Sequence, residues 1–271
     1  MLQRLARQIA AVSHQGVNRE QPLLSAALPD GARVQVVAPP ATRGGAALAV
    51  RKHQISDLTV ADLARDGLFD AAQRSDGAAS AGDAELEAML ETGDLKGFLK
   101  AAVRRRKTIV ISGGTGSGKT TLLNALVKEI DLSERLLVIE DAPEVRLDHP
   151  NSLGLVAVRG ELGEARVDAD ALLAAALRMR PDRILLGELR GKEAFAFLRA
   201  VNSGHPGSLT TVHADSPAGA LDQIALLALT SGVELGWDKV QAYVERVIDV
   251  VIQLDRTGGA RRVTDVRFRR R

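Results

Sequence analysis

The stretch VISGGTGSGKTTLLNAL, residues 110–126, decides the fold of this chain. Gly113 and Gly118 enclose four residues, and Lys119 and Thr120 follow at once, which completes the phosphate-loop pattern. A strand candidate precedes the loop and a helix candidate follows it. Glycines let several backbone N–H groups converge on one anion, and the start of a helix adds positive potential. The loop therefore predicts a site for nucleotide phosphates.

The predicted phosphate-binding residues are Gly113, Gly114, Thr115, Gly116, Ser117, Gly118, Lys119, Thr120 and Thr121. Lys119 would supply a charge for the β- and γ-phosphates, and the Thr120 hydroxyl would be a ligand for Mg²⁺. The alternative is a purely structural glycine turn. That alternative explains neither the lysine nor the flanking strand and helix.

Composition excludes several classes of protein. The 271 residues include 36 basic and 34 acidic ones, so the overall charge points to no particular partner. Cysteine is absent, which excludes disulfides and cysteine-ligated zinc. No apolar run approaches the roughly 20 residues of a membrane span, so we expect a soluble or at most peripheral protein. The arginine clusters at 104–106 and near the C-terminus are typical of solvated surface or of a site for phosphate-rich surfaces.

Strand and helix candidates alternate from Asp83 onward, which predicts a doubly wound α/β domain with a parallel-dominated sheet. The strand candidates lie at 108–113, 135–141, 155–159, 183–188, 208–214 and 249–254, with a final edge strand within 256–271. Before this domain come an amphipathic helix and two short strand candidates, at 32–38 and 46–52. The predicted division is an N-terminal domain (1–70), a linker rich in Ala, Ser, Gly and Asp (71–82), and the α/β domain (83–271).

Two apolar strand candidates end in acid, at Glu140 and Asp141 and at Glu188. The carboxyl ends of parallel strands meet at one edge of an open sheet, so these acids should face the phosphate site. There a carboxylate can hold Mg²⁺ or orient the attacking water. The alternative is that such residues only mark where strands reach solvent. His213 ends another strand candidate and could contact the γ-phosphate, whereas His205 is more typical of a structural turn residue.

Four sequence boxes in this order resemble the secretion-superfamily traffic ATPases, and specifically those of type IV secretion and conjugative DNA transfer. The boxes are GGTGSGKTT (113–121), LLVIEDAPEV (136–145), ALRMRPDRILLGELRG (176–191) and NSGHPGSLTTVHAD (202–215). Weaker similarity extends through 22–40 and 48–53. The resemblance implies a RecA-like ATPase domain behind a smaller α+β N-terminal domain, which in family members has additional sequence before the matched part. The N-terminal domain of this chain is therefore expected to be incomplete.

The resemblance also implies roles for individual residues. Glu188 corresponds to the Walker B acid, and Glu140 with Asp141 to the acidic box. His213 is the histidine expected near the γ-phosphate. The predicted catalytic set is Glu188, Glu140, His213, Arg180 and Arg51, and the predicted metal ligands are Thr120, Glu188 and Asp141. From its spacing alone, Arg180 is better explained as a cation that stabilises the C-terminal end of a helix. The phosphate contacts expected of Arg180 and Arg51 therefore rest on the resemblance.

The function implied is an ATP- and Mg²⁺-dependent motor that drives substrate translocation or pilus assembly. It would act as a homo-hexamer with inner-membrane channel proteins and partner ATPases, in the cytoplasm and peripherally at the inner face of the bacterial inner membrane; direct DNA binding is left open. The alternatives are a type II secretion, type IV pilus or tight-adherence motor, a switch GTPase or small-molecule kinase, and a nucleotide-gated binding module for DNA or acidic lipid. The sequence has no Asn-Lys-x-Asp guanine motif and no evident kinase lid.

Overall fold

Two β-sheets organise the chain in the computed structural model, which describes residues 1–52, 59–70, 81–158 and 164–270. The first sheet has three antiparallel strands in the order β1-β2-β3. Its strands are β1 (Leu23–Ala27), β2 (Arg33–Val37) and β3 (Ala47–Arg51). Helix α1 (Leu2–Val12) packs on this sheet through Ala6, Ile9 and Ala10, which form a small apolar cluster with residues of β1 and β2.

The second sheet has seven strands and contains the phosphate loop. Its strands are β4 (Ile109–Gly113), β5 (Leu136–Glu140), β6 (Ser152–Val156), β7 (Arg183–Leu186), β8 (Leu209–Val212), β9 (Val250–Thr257) and β10 (Ala260–Phe268). Their order is β10-β9-β4-β8-β7-β5-β6, and every neighbouring pair is parallel except β9 and β10. The predicted parallel-dominated α/β sheet with a final edge strand is confirmed.

Helices cover both faces of this sheet. They are α3 (Ala81–Glu91), α4 (Leu95–Arg104), α5 (Lys119–Val127), α6 (Ala169–Ala176), α7 (Glu193–Asn202), α8 (Pro217–Leu229) and α9 (Trp237–Val247). A short helix between the two sheets in sequence, α2 (Val60–Arg65), has no buried residue. Strand side chains alternate between the two faces. Val110 packs in the cluster with α6 to α9, and Ile109 and Ile111 pack in the cluster with α4 and α5. No helix in the described ranges is long and apolar enough to cross a bilayer.

The structure corrects one predicted strand and adds elements that the sequence did not predict. Strand β6 runs over Ser152–Val156 instead of 155–159, whose last residue lies outside the described ranges. The prediction was wrong because apolar content reports burial and not pairing: Ala157 is buried although it lies beyond the strand. β1, α3, α4 and α9 were not predicted. Most of the predicted linker (71–80) is outside the described residues, α3 begins at its last two positions, and the domain division stays a prediction.

A buried ion pair links β7 to the segment before β5 and to the end of α4. The Arg183 side chain on β7 is fully buried and donates two hydrogen bonds to the Glu134 carboxylate, at 2.8 and 2.6 Å. It also donates to the Val103 carbonyl at the end of α4, at 2.7 Å. Burial by itself would raise the pKa of Glu134, but the hydrogen bonds from Arg183 and Arg106 outweigh burial and lower that pKa. The pair fixes the amino end of β7 against α4.

Glu134→Ala should destabilise the fold by about 3 kcal/mol, because it leaves the Arg183 charge buried without its partner. The free energy of unfolding from denaturant titration measures this loss. Because the pKa of Glu134 is lowered, its contribution is present at neutral pH and is lost as the pH falls through that lowered pKa. Glu129→Ala, in a more exposed pair with Lys100, is the control and should cost at most about 1 kcal/mol. Equal losses in the two variants would contradict this account.

Candidate functional site

The phosphate loop connects the end of β4 to the start of α5. Gly118 caps the helix in the left-handed region, with φ of 100°, which residues other than glycine rarely adopt. Gly113 has φ of 154°, and a side chain there would collide with the Leu254 carbonyl of the adjacent strand β9. Both glycines of the pattern are therefore required by backbone geometry. The loop places the N-terminus of α5 at the carboxyl edge of the sheet, as the sequence predicts.

Lys119 points back along this loop. Its ammonium group donates to the carbonyls of Gly113 and Gly114, at 2.8 and 3.1 Å, and lies 3.4 Å from Nδ1 of His213. The side chain is only 9% exposed. Burial lowers the pKa of Lys119, and the charge of Glu188 opposes that shift. The partners of this ammonium group are two carbonyls and an imidazole, so a bound anion such as a phosphate would stabilise its charge.

Glu188 and His213 meet beside Lys119. Glu188 lies two residues beyond β7 and His213 one residue beyond β8, and their Oε1 and Nε2 atoms are 2.7 Å apart. The two strands are neighbours in the sheet. The convergence that the sequence predicted at the ends of parallel strands is thus present, with an acid and an imidazole next to the loop lysine.

Arg190 is a further cation in the same cavity, and the sequence analysis did not single it out. Its Nε donates to Glu188 Oε2 at 2.5 Å, and its Nη1 lies 3.6 Å from Asp141. The hydrogen bond to Glu188 is the main reason why the pKa of Arg190 is raised. Arg190 therefore joins the two acids predicted as metal ligands. In the sequence, the only feature that could have pointed to Arg190 was its position two residues after Glu188.

Thr120 faces the same cavity from the first turn of α5. Its hydroxyl donates to Glu144 Oε2 at 3.0 Å, so Glu144 is a second residue that the sequence analysis missed, although it lies inside the quoted 136–145 box. Lys119, Thr120, Asp141, Glu144, Glu188 and His213 all line this cavity of about 270 Å³. Hydroxyl and carboxylate oxygens are the donors that Mg²⁺ prefers.

Glu140 lies deeper than the other acids. Its carboxylate accepts backbone N–H bonds from Glu144 and Val145, at 3.0 and 2.8 Å, and pairs with Arg43 from the segment after β2. Arg43 also donates to the Val145 carbonyl at 2.6 Å. These contacts hold the segment that carries Glu144 and attach the N-terminal sheet to the site. The predicted catalytic role of Glu140 stays a prediction.

Arg51 and Arg180 lie together in a different cavity, of about 600 Å³, also lined by Lys52, Arg135 and Arg178. Neither side chain lines the cavity of Lys119 and Glu188. Arg180 follows a 3₁₀ turn (Leu177–Met179) and adopts left-handed backbone angles, φ 55° and ψ 56°, that residues other than glycine seldom adopt. The structure thus separates the predicted catalytic set into two groups. His205 Nδ1 lies 3.0 Å from the Ala200 carbonyl, to which it can only donate, at the turn where it was expected.

Comparison with known proteins identifies the relatives of this architecture. A family model described as "Type II/IV secretion system protein" matches residues 1–264. The type IV secretion system protein VirB11 of Bartonella henselae is 38% identical over 97% of this chain and 78% of its own length. The type IV secretion system protein PtlH homolog of Bordetella bronchiseptica is 41% identical over 99% of this chain and 81% of its own length.

A solved structure has the same fold. It is the crystal structure of the VirB11 ATPase from the Brucella suis type IV secretion system in complex with sulphate, with a TM-score of 0.91 and 37% identity over 99% of this chain and 82% of that one. The corresponding Brucella suis sequence is 40% identical over 89% of this chain and 68% of its own length.

Proposed function

This chain belongs to the type II/IV secretion system protein family, and from that premise we propose that it is the ATPase motor of a type IV secretion or conjugation system. The sequence-based prediction of an ATP-hydrolysing enzyme is confirmed by the family. The relatives that are 38–41% identical are type IV secretion proteins, which favours that branch over a type II or pilus motor. A switch GTPase and a small-molecule kinase have no support among them.

One observation carries the assignment of the site. The phosphate-loop lysine, an acid and an imidazole converge at the carboxyl edge of a parallel sheet, with Lys119, His213 and Glu188 in one chain of contacts. A triphosphate whose β- and γ-phosphates contact Lys119 would place its γ-phosphate toward Glu188 and His213. The loop amides and the start of α5 would hold the other oxygens.

The side chains of this pocket are suited to hydrolysis. Glu188 can accept a hydrogen bond from the attacking water and take its proton, because a carboxylate is fixed there by His213 and Arg190. Lys119 can neutralise charge that develops on the phosphate oxygens. His213 is placed to contact the γ-phosphate or to orient Glu188.

Mg²⁺ fits the oxygen donors of this pocket. Thr120, Asp141 and Glu188 would hold it, and Glu144 is a further candidate because it already accepts from Thr120. Among the described residues, no group of three or more His, Cys, Asp or Glu forms a metal site by itself. Mg²⁺ in nucleotide sites is usually held by one or two carboxylates together with substrate phosphates, so these acids need not all contact the ion at once. Bound there, the ion would neutralise phosphate charge.

The position of the cavity that holds Arg51 and Arg180 is an argument for assembly into a ring. Arg51 and Arg180 resemble phosphate-contacting arginines, yet they lie apart from Lys119 of their own chain. In a closed ring, each subunit uses two different surfaces, so a residue can act in its neighbour's site. We place Arg51 and Arg180 against the nucleotide of the adjacent subunit in a homo-hexamer. The motor would act at the inner face of the inner membrane with channel proteins and partner ATPases.

A complementation experiment tests this shared site. Lys119→Ala and Arg180→Ala should each abolish phosphate release when purified alone. Co-assembled in equal amounts, the two variants should regain roughly a quarter of the unmodified rate, because random mixing in a ring rebuilds about one interface in four. Phosphate release from ATP with Mg²⁺ measures the rate.

The control is a mixture of Lys119→Ala with Glu188→Gln, whose lesions are both in the same subunit's pocket. That mixture would recover activity only if Lys119 and Glu188 acted on the nucleotides of different subunits, and we expect it to stay inactive. Activity of Arg180→Ala alone, or no recovery in the first mixture, would contradict the shared site. Absence of ATP hydrolysis by the unmodified chain would contradict the motor itself.

A further inference from the structure

The hairpin of β9 and β10 rises beside the phosphate loop on the flank opposite to the acids. β9 pairs with β4 on one side, up to Gly113 and Leu254, while β8, β7 and β5 lie on the other side. The strands of the hairpin continue past the sheet edge to a turn at Gly258 and Gly259, both with positive φ. The hairpin tip therefore lies beside the phosphate loop, on the side away from Glu188 and His213.

Two arginines of this hairpin approach the loop itself. A Cβ built at Gly118 would lie 2.9 Å from Cδ and 3.6 Å from Nε of Arg261. A Cβ built at Gly116 would lie 3.7 Å from Nη1 of Arg256. Both arginine side chains thus lie next to the loop that should hold the phosphates.

The register makes these two arginines direct cross-strand partners. Arg261 pairs with Arg256 across the hairpin, so both side chains lie on the same face. Like charges directly opposite one another are destabilising, and the N-terminus of α5 adds more positive potential. Within the described ranges, neither guanidinium group has a carboxylate within ion-pair distance. The next pair, Arg262 with Asp255, is charge-balanced on the opposite face.

We infer that Arg256 and Arg261 bind the nucleoside-proximal phosphates of the nucleotide. An anion between the two guanidinium groups would relieve their repulsion. A nucleotide whose γ-phosphate faces Glu188 and His213 extends along the loop toward β9, so its α- and β-phosphates come to the hairpin. The hairpin arginines would then hold the α- and β-phosphates, while Lys119 and His213 contact the γ-phosphate at the other end of the triphosphate. This inference rests on the proposed ATP site.

Calorimetric titration of the full chain with ADP and with a non-hydrolysable ATP analogue, both with Mg²⁺, tests the inference. Arg261→Ala and Arg256→Ala should each weaken both ligands by about tenfold, since a charge-assisted hydrogen bond to phosphate is lost. The ratio of the ADP and ATP-analogue affinities should not change, because the γ-phosphate is not contacted. In phosphate release, KM should rise while kcat at saturating ATP stays near that of the unmodified chain.

Arg262→Ala is the matched control, because it removes an arginine from the same strand on the other face. It should leave both affinities unchanged. Without nucleotide, Arg261→Ala should unfold at the same temperature or higher, because repulsion is removed; a merely structural arginine would lower it.

Unchanged affinities in the Arg256→Ala/Arg261→Ala double variant would overturn the inference, as would a loss confined to the ATP analogue or an equal loss in Arg262→Ala. Failure of the unmodified chain to bind ATP would instead overturn the proposed function on which the inference rests.

Discussion

Glu188→Gln is expected to stop hydrolysis while leaving ATP bound. Glutamine keeps the size of Glu188 and one of the two oxygens that Arg190 and His213 contact, but it cannot take the proton of an attacking water. The rate of phosphate release should fall by about a thousandfold. ATP affinity should change by no more than about threefold, because Lys119 and the loop amides are intact. Steady-state phosphate release and calorimetric titration with ATP and Mg²⁺ measure the two quantities.

Glu245→Gln is the control for this variant, since Glu245 pairs with Arg267 on the surface and does not line the cavity. Its rate should equal that of the unmodified chain. If Glu188→Gln hydrolysed ATP at a normal rate, the water-activating group would have to be another residue, and Glu144 or Asp141 would be the next candidates.

Lys119→Ala is expected to remove nucleotide binding itself. The buried ammonium group contacts the loop carbonyls and faces Glu188 through His213, so its loss leaves the phosphates without their nearest side-chain cation. Truncating one member of a buried, charged hydrogen-bonded pair costs several kcal/mol, which corresponds to an affinity loss of about a hundredfold or more. Phosphate release should then be undetectable. Titration with ATP and with ADP measures the affinities.

Lys100→Ala provides the comparison for this variant. Lys100 lies on α4, away from the phosphate loop, and pairs with Glu129. Removal of the Lys100 side chain should leave ATP affinity unchanged. A far-ultraviolet circular dichroism spectrum of Lys119→Ala should match that of the unmodified chain. Normal ATP affinity in a folded Lys119→Ala variant would refute the assignment of the phosphate loop.

The sequence predicts which residues converge at the phosphate loop, and it does so for a physical reason. The phosphate loop is local, so its spacing alone determines where the glycines and Lys119 lie. The acids and the imidazole come from distant segments, yet each follows an apolar strand. Parallel strands deliver their ends to one edge, so Glu188 and His213 could be brought to Lys119 without knowledge of the strand order. The structure places them in contact there.

Contacts that depend on register or on irregular segments could not be predicted in this way. Arg43 reaches Glu140 from a segment with no periodic pattern, nearly a hundred residues earlier. The opposition of Arg256 and Arg261 follows only once the hairpin pairing is known. Arg51 and Arg180 show the same limit, because the resemblance implies a phosphate contact for each but does not say in which subunit's site. Their shared cavity away from Lys119 supplies the reason to assign them to a neighbour.

A structure of the Glu188→Gln chain crystallised with ATP and Mg²⁺ tests the central claim most directly. The account predicts a triphosphate along the phosphate loop, with Lys119 Nζ at hydrogen-bond distance from its β- and γ-phosphates and residues 188 and 213 beside the γ-phosphate. Nucleotide located elsewhere in the molecule, or a γ-phosphate pointing away from residues 188 and 213, would contradict it.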